Sequence, residues 1–216
     1  MNKAIRNYIS KQILNWGQSN TDNFTWRNPQ SVYESIIAEI MLIRTPPNQV
    51  LKIYDDFIKE FPSFEKLNNA CYSDVSKYID RIGLSWRTDI LLKMSNYVVN
   101  NLNNNINSDF EELIKIPGLG EYTASAVLTY YFKKKALPID SNTVRFIERY
   151  FEISFEKEGR NSEKTKKMYS EIVPKERKKA VTFNESFLDF MRKICTVQNP
   201  RCDKCIINNY CKFYNN

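Results

Sequence analysis

Leu113-Ile-Lys-Ile-Pro-Gly-Leu-Gly-Glu-Tyr-Thr-Ala-Ser-Ala-Val127 reads as a short helix, a glycine-bounded turn and a second helix. Pro117 stops the first helix. Gly118 and Gly120 permit backbone angles and a close approach that a side chain would block, and the apolar Ile116 and Leu119 anchor the turn. The backbone N–H groups that open the second helix lack intrahelical acceptors and face outward. They suit a phosphate oxygen, helped by the positive end of the helix dipole and by the hydroxyl of Thr123. This is the pattern of a helix-hairpin-helix, which holds one strand of DNA by its backbone without reading sequence. The same residues also fit a Schellman-type helix junction that binds nothing, so the flanking sequence has to decide.

Outward from this stretch, apolar residues recur with a 3.6-residue period and alternating patterns are scarce, which makes the chain all-α. Only five glycines occur (Gly17, Gly83, Gly118, Gly120 and Gly159), and no Asn-Gly or Asp-Gly hairpin turn appears. Helices are expected over Asn2–Gly17, Ser31–Leu42, Pro47–Phe61, Ser63–Ala70, Ser73–Ile82, Trp86–Asn100, Asp109–Lys115, Glu121–Phe132, Ser141–Tyr150, Ser162–Ile172 and Val181–Ile194. The Asn-rich stretch Asn100–Ser108 reads as a loop, and Phe155–Lys164 as a charged, glycine-containing connection on the surface.

The chain has 216 residues, enough for one sizeable domain or two small ones sharing a core. No apolar run approaches the roughly 18 residues that span a bilayer, which argues against a membrane protein. A formal net charge of +7 fits a polyanionic partner such as nucleic acid, although AT-rich genomes also inflate Lys and Asn counts. Histidine is absent. Any general acid or base is therefore a carboxylate, Tyr, Lys or Cys, and any metal ligand a Cys or carboxylate.

The most specific chemical signal closes the chain. Cys195, Cys202, Cys205 and Cys211 are spaced C-x6-C-x2-C-x5-C within seventeen residues, and four thiolates this close bind a soft metal centre. All-cysteine zinc sites usually join two C-x2-C knuckles across a longer loop, and only one knuckle is present here. A [4Fe-4S] cluster is therefore expected ahead of zinc, and ahead of disulfides or unligated thiols. No signal peptide opens the chain, and a basic protein of the cytoplasm keeps its thiols reduced. Cys71, far from these four, reads as a buried core thiol.

Twenty residues past Gly120 comes Leu137-Pro-Ile-Asp-Ser-Asn-Thr-Val-Arg-Phe146, where Asp140 precedes an amphipathic helix. Taken alone, Asp140 is an N-cap. Hairpin, aspartate and cysteine tail together, in this order and at these distances, resemble the helix-hairpin-helix DNA glycosylases that include endonuclease III and the A/G-mismatch adenine glycosylases. The resemblance runs from about Ile13 to Tyr214, and the cysteine spacing is that group's cluster signature. It implies a bilobal helical fold with a DNA-binding cleft between a six-helix barrel (residues 30–134, with the hairpin) and a cluster domain built from both termini (residues 1–29 and 135–216). It also implies that the target nucleotide is flipped out of the duplex, since the glycosidic bond is unreachable within the stack.

On this resemblance Asp140 is the catalytic carboxylate, which stabilises positive charge on the deoxyribose as the base leaves and positions or activates the attacking water. Glu39, in Ala38-Glu-Ile-Met-Leu-Ile-Arg-Thr45, falls where the adenine glycosylases and their thymine-mismatch relatives carry Glu. It would deliver a proton to the departing base or recognise it; the plain reading is an exposed helix carboxylate. Asn142 matches an Asn that supports the same site, with a first-turn helix cap as its plain reading. Tyr122 stands where strand-cutting relatives carry a lysine whose amine forms a Schiff base with the sugar. A phenol cannot form that intermediate, which implies a monofunctional glycosylase.

Base choice turns on departures from pattern. Adenine glycosylases show Met-Leu-Gln-Gln-Thr after the Glu and a Gly-Leu-Gly-Tyr-Tyr wedge; this chain has Met41-Leu-Ile-Arg-Thr45 and Gly83-Leu-Ser-Trp-Arg87. It ends five residues after Cys211, leaving no room for the C-terminal domain with which typical adenine glycosylases recognise 8-oxoguanine. Glu39-Ile-x-Leu-x-Arg-Thr45, Ile82-Gly-Leu-Ser85, Gly120-x-Tyr-Thr123 and Asp140-x-Asn-x-Val-Arg-x-Ile-x-Arg-Tyr-Phe151 look like the archaeal-type thymine-DNA glycosylases acting on T/G and U/G mismatches. That reading is preferred over adenine opposite guanine or 8-oxoguanine and over another damaged base. Ile43 or Arg44, with Leu84, Ser85, Trp86 and Arg87, would fill the hole left in the duplex and contact the widowed base. Trp86 also fits a core position at a helix start, and Lys133–Lys135 either line the DNA path or solvate a helix end.

The partner implied is double-stranded DNA carrying a mismatched or damaged base, engaged by a monomer in a prokaryotic-type, nucleoid-associated setting. A catalytically silent, cluster-bearing DNA-binding protein would need hairpin and cluster but not Glu39, Tyr122, Asp140 and Asn142 together. For the cluster itself the economical expectation is a structural role, ordering the loop between Cys195 and Cys202 with Arg201 and Lys204 facing phosphate.

Overall fold

The computed structural model describes residues 2–155 and 159–215, and among these every regular element is helical. In chain order the α-helices are α1 (Lys3–Asn20), α2 (Val32–Leu42), α3 (Pro47–Glu60), α4 (Phe64–Asn68), α5 (Tyr72–Ile79), α6 (Trp86–Leu102), α7 (Phe110–Leu113), α8 (Glu121–Tyr130), α9 (Ser141–Phe151), α10 (Glu163–Ile172), α11 (Arg177–Lys193) and α12 (Lys212–Asn215). Their starts follow local chemistry. Asn2, Ser31, Ser63 and Asp109 each accept a first-turn backbone N–H through the side chain, capping α1, α2, α4 and α7.

Two compact units emerge, one made of Met1–Asp22 with Leu137–Asn216, the other of Asn23–Ala136. The boundaries lie a few residues from the 1–29 and 135–216 division expected from sequence. The reason is aromatic packing: Phe24 stacks on Trp26 with ring centroids 4.6 Å apart, and Trp26 meets the edge of Tyr54 at 5.4 Å, so this segment joins the second unit's core.

In the second unit α2 is the central helix. Eight of its residues are buried, Tyr33 and Ser35 through Met41, so its apolar surface is not a stripe but nearly the whole cylinder. Helices α3, α6 and α8 pack around it. In the first unit α1 lies along α11, with Ile9, Ile13, Phe183, Phe187 and Phe190 fully buried between them and α9. Each such side chain contributes about 2–3 kcal/mol by leaving water.

Three expectations change. Gly17 does not end the first helix, which runs on to Asn20; a Cβ there would sit 1.9 Å from Ser186 Oγ, so the glycine marks close α1–α11 packing. Cys71 is exposed at the N-cap of α5 and is not a core thiol, because the apolar face of α5 is supplied by Val75 and Ile79. Within the Phe155–Lys164 connection, Gly159 is buried against Phe155 and Val144 and not at the surface, while residues 156–158 of that segment lie outside the described residues.

Candidate functional site

The hairpin between α7 and α8 depends on its glycines in different ways. Gly118 has φ +89°, and a Cβ on it would lie 2.3 Å from Ile90 Cγ2, so both backbone and packing demand glycine. Gly120 caps α8 at an exposed position where a Cβ would meet nothing, so its bareness leaves the helix N-terminus open. Ile116 and Leu119 are buried, 2% and 3% exposed, and their side chains hold the turn from within. Thr123 is buried too, which removes its hydroxyl from the phosphate-binding role expected of it. The first intrahelical bond of α8 is Ala124 N–H to Gly120 O at 2.9 Å, so the N–H groups of its opening turn have no acceptor within the helix.

Tyr122, half-buried, is the second residue of α8, and α8 packs on α2, which carries Glu39. Glu39 is 7% exposed, drawn inside by the burial of α2 on all sides, so it is not an ordinary surface carboxylate.

The α2–α3 turn and the turn before α6 form a second feature of the same unit. Ile43 and Leu84 are half-buried, Arg44 and Ser85 exposed, and Trp86 39% exposed, which excludes the core position for the indole. Arg87 departs most from expectation. It is fully buried, with Nη1 donating to Gly83 O at 2.7 Å and Nη2 donating to Ile43 O and to Thr45 Oγ1. It cannot reach a base, and burial lowers its pKa.

Asp140 belongs to the other unit. It is the N-cap of α9, accepting the Thr143 N–H at Oδ1 at 2.9 Å and the Thr143 hydroxyl at 3.2 Å. Its second oxygen, Oδ2, accepts from Asn142 Nδ2 at 2.5 Å. Cap and catalytic readings are therefore compatible, because capping occupies one oxygen and the carboxyl stays partly exposed. Asn142 is a carboxylate-holding residue and not a cap.

Arg145 and Arg149 went unassigned at the sequence level although both lie in the quoted Asp140–Phe151 stretch. Arg145 donates to Asn142 Oδ1 at 2.9 Å, to the Cys195 carbonyl at 3.0 Å and to the Met191 carbonyl at 3.3 Å. Arg149 donates to the carbonyls of Thr196 and Val197 at 2.6 and 2.7 Å and lies 3.6 Å from Cys195 Sγ. One turn of helix thus links the Asp140 carboxylate to the first cysteine of the tail; the i, i+4 spacing of the two arginines on a helix was the available signal.

All five cysteines are free thiols, and Cys195, Cys202, Cys205 and Cys211 line one cavity with Arg149, Arg201, Phe213 and Tyr214. Burial pushes the Cys205 thiol up to about 12, so as a free thiol it stays protonated at neutral pH and gives up its proton only to a cation that binds the sulfur. Four soft donors around one space, flanked by two guanidinium groups that offset the charge of a thiolate-ligated centre, fit an iron-sulfur cluster.

Residues 195–211 match the family model of the iron-sulfur binding domain of endonuclease III, and residues 101–130 match that of the helix-hairpin-helix motif. The thymine/uracil-DNA glycosylase of Methanothermobacter thermautotrophicus is 33% identical over 99% of this chain and 96% of its own length. An adenine DNA glycosylase of Buchnera aphidicola is 28% identical over 94% of this chain but only 58% of its own length. The solved structure of a thermostable thymine-DNA glycosylase superposes with a TM-score of 0.91 at 32% identity, covering 98% of this chain and 97% of that one. With a glycine-bounded hairpin, a carboxylate held by Thr143 and Asn142, and a four-thiol cavity whose first cysteine is linked to Asn142 by Arg145, the chain belongs to the thymine/uracil-DNA glycosylase family, the helix-hairpin-helix DNA N-glycosylases that carry a [4Fe-4S] cluster.

Proposed function

We propose that the protein excises thymine or uracil mispaired with guanine from duplex DNA, as a monomer and without cutting the strand. The observation that carries the reaction is the state of Asp140. Three donors fix the orientation of its carboxylate, while the group remains partly exposed. Once the nucleotide is flipped out, the C1'–N1 bond breaks and its electron pair leaves with the base. Asp140 stabilises the cation left on the sugar and accepts a proton from the water that attacks C1'. Glu39, held in a largely dry helix, serves the leaving base by hydrogen bonding or proton delivery.

Tyr122 supports the monofunctional reading, since a phenol offers no amine for a Schiff base at the hairpin position. The choice of thymine or uracil rests on likeness along nearly the whole chain to glycosylases named for those bases. The [4Fe-4S] cluster, when bound by Cys195, Cys202, Cys205 and Cys211, supplies a fixed anchor for the C-terminal loop. Among the described residues no helix is long and apolar enough to cross a membrane. Likeness to DNA glycosylases supports a cytoplasmic, nucleoid-associated setting.

The test is a panel of duplexes carrying T/G, U/G, A/G and A/8-oxoG pairs, incubated with holoprotein and then heated in alkali to break abasic sites. Cleavage after alkali with T/G and U/G duplexes, and intact strands before it, is expected. Release of adenine alone would overturn the base assignment.

A further inference from the structure

We propose that Arg87 is a positioning residue that latches the Ile43–Thr45 turn to the Gly83–Ser85 turn, so that the two enter the DNA duplex as one rigid wedge. The inference rests on the mismatch-excision reading, and adds to it a residue that never contacts DNA. The guanidinium is fully buried and reaches both turns at once: Gly83 O at 2.7 Å on one side, Ile43 O and Thr45 Oγ1 on the other. Among the described residues no carboxylate forms an ion pair with it, and Nε has no hydrogen-bond partner. A buried, unpaired cation is an expensive way to fill a core, so the three backbone and hydroxyl acceptors are what it is there for.

Both turns are strained in the same manner. Arg44 has φ +56° and Leu84 φ +61°, left-handed values in residues with a Cβ, next to Gly83 at +73°. Such conformations persist only where the surroundings over-determine them, and they cluster at sites that act on ligands. Here the surroundings are the Arg87 fork, planar and preset to hold several acceptors at once. The groups the latch presents are those suited to probing a base stack: exposed Arg44, Ser85 and Trp86, with Ile43 and Leu84 half-exposed beside them, and the Trp86 ring lies 5.6 Å from the Arg87 guanidinium carbon. Fixing the turns before DNA arrives removes the ordering cost from the insertion step.

Arg87→Lys and Thr45→Val holoproteins test this, the first replacing the fork by a point donor and the second deleting one acceptor. Trypsin cleavage after the exposed Arg44 reads the latch without DNA; single-turnover excision from the mispair the wild type prefers reads its use. Cleavage at Arg44 should accelerate about tenfold in Arg87→Lys and less in Thr45→Val, while excision slows about tenfold with duplex affinity within about threefold of wild type. With the target base placed opposite an abasic site, where no stacked partner has to be displaced, excision should return to within about twofold of wild type. Unchanged Arg44 cleavage in both variants would overturn the latch. Faster cleavage with undiminished excision, or an equal loss on both duplexes, would overturn its role in insertion. If wild-type protein released no base from any duplex, the functional reading would fail while the trypsin arm still judged the latch. Should Arg87→Lys not fold, Thr45→Val carries the same comparisons alone.

Discussion

The Arg145 guanidinium donates to Asn142 Oδ1 at 2.9 Å. The same group donates to the Cys195 carbonyl, and Asn142 in turn donates to Asp140 Oδ2, so a cluster ligand and the candidate catalytic carboxylate are two side chains apart. The cysteine tail and Asp140 are thus joined by a chain of hydrogen bonds through α9.

Arg145→Gln is therefore expected to slow base excision by about tenfold while leaving DNA affinity within about threefold, because a fixed carboxylate becomes a mobile one. Single-turnover kinetics at matched iron content checks this. A variant with full iron and wild-type rate would show that Asn142 needs no support.

Asp140→Asn should lower excision by at least about a hundredfold, since it removes the charge that stabilises the sugar cation while keeping the cap at Oδ1. A melting temperature close to wild type together with retained duplex binding separates this from loss of the α9 cap. A rate within about threefold of wild type would return Asp140 to capping alone.

Cys202→Ser removes one of four sulfur donors. The expected outcome is colourless or weakly coloured protein, loss of the broad visible absorption near ~400 nm, and weaker DNA binding, because the described tail has only short 3₁₀ segments and α12 to hold it without the centre. Iron analysis of the purified variant and a gel-shift titration measure the two effects.

Tyr122→Lys places an amine at the start of α8. Borohydride should then trap a covalent DNA complex in the variant, and none in the wild type, where strands break only after alkali. Efficient trapping by the wild type would reveal another reactive amine, with Lys115 the nearest in sequence.

Gly17→Ala tests the α1–α11 contact. The added Cβ would meet Ser186 Oγ at 1.9 Å and Ser186 Cβ at 2.5 Å. A loss of about 1–3 kcal/mol is expected from overpacking, which for a chain of this size lowers the melting temperature by roughly 2–4 °C per kcal/mol. Combining it with Ser186→Gly should restore most of the loss.

What the sequence by itself determined is what local chemistry decides. The 3.6-residue periodicity, the glycine turn at Gly118 and the spacing from Cys195 to Cys211 each involve residues near one another along the chain, and each stood in the structure as read. Only the tertiary structure decided which polar side chains face water. Thr123 and Arg87 sit on helices whose sequence fits exposure as well as burial, and the second Arg87 acceptor lies 44 residues away, at Ile43. Arg145 likewise meets Cys195 across 50 residues of chain. The burial of a charge is set by acceptors that folding brings from distant segments, and no periodicity encodes that.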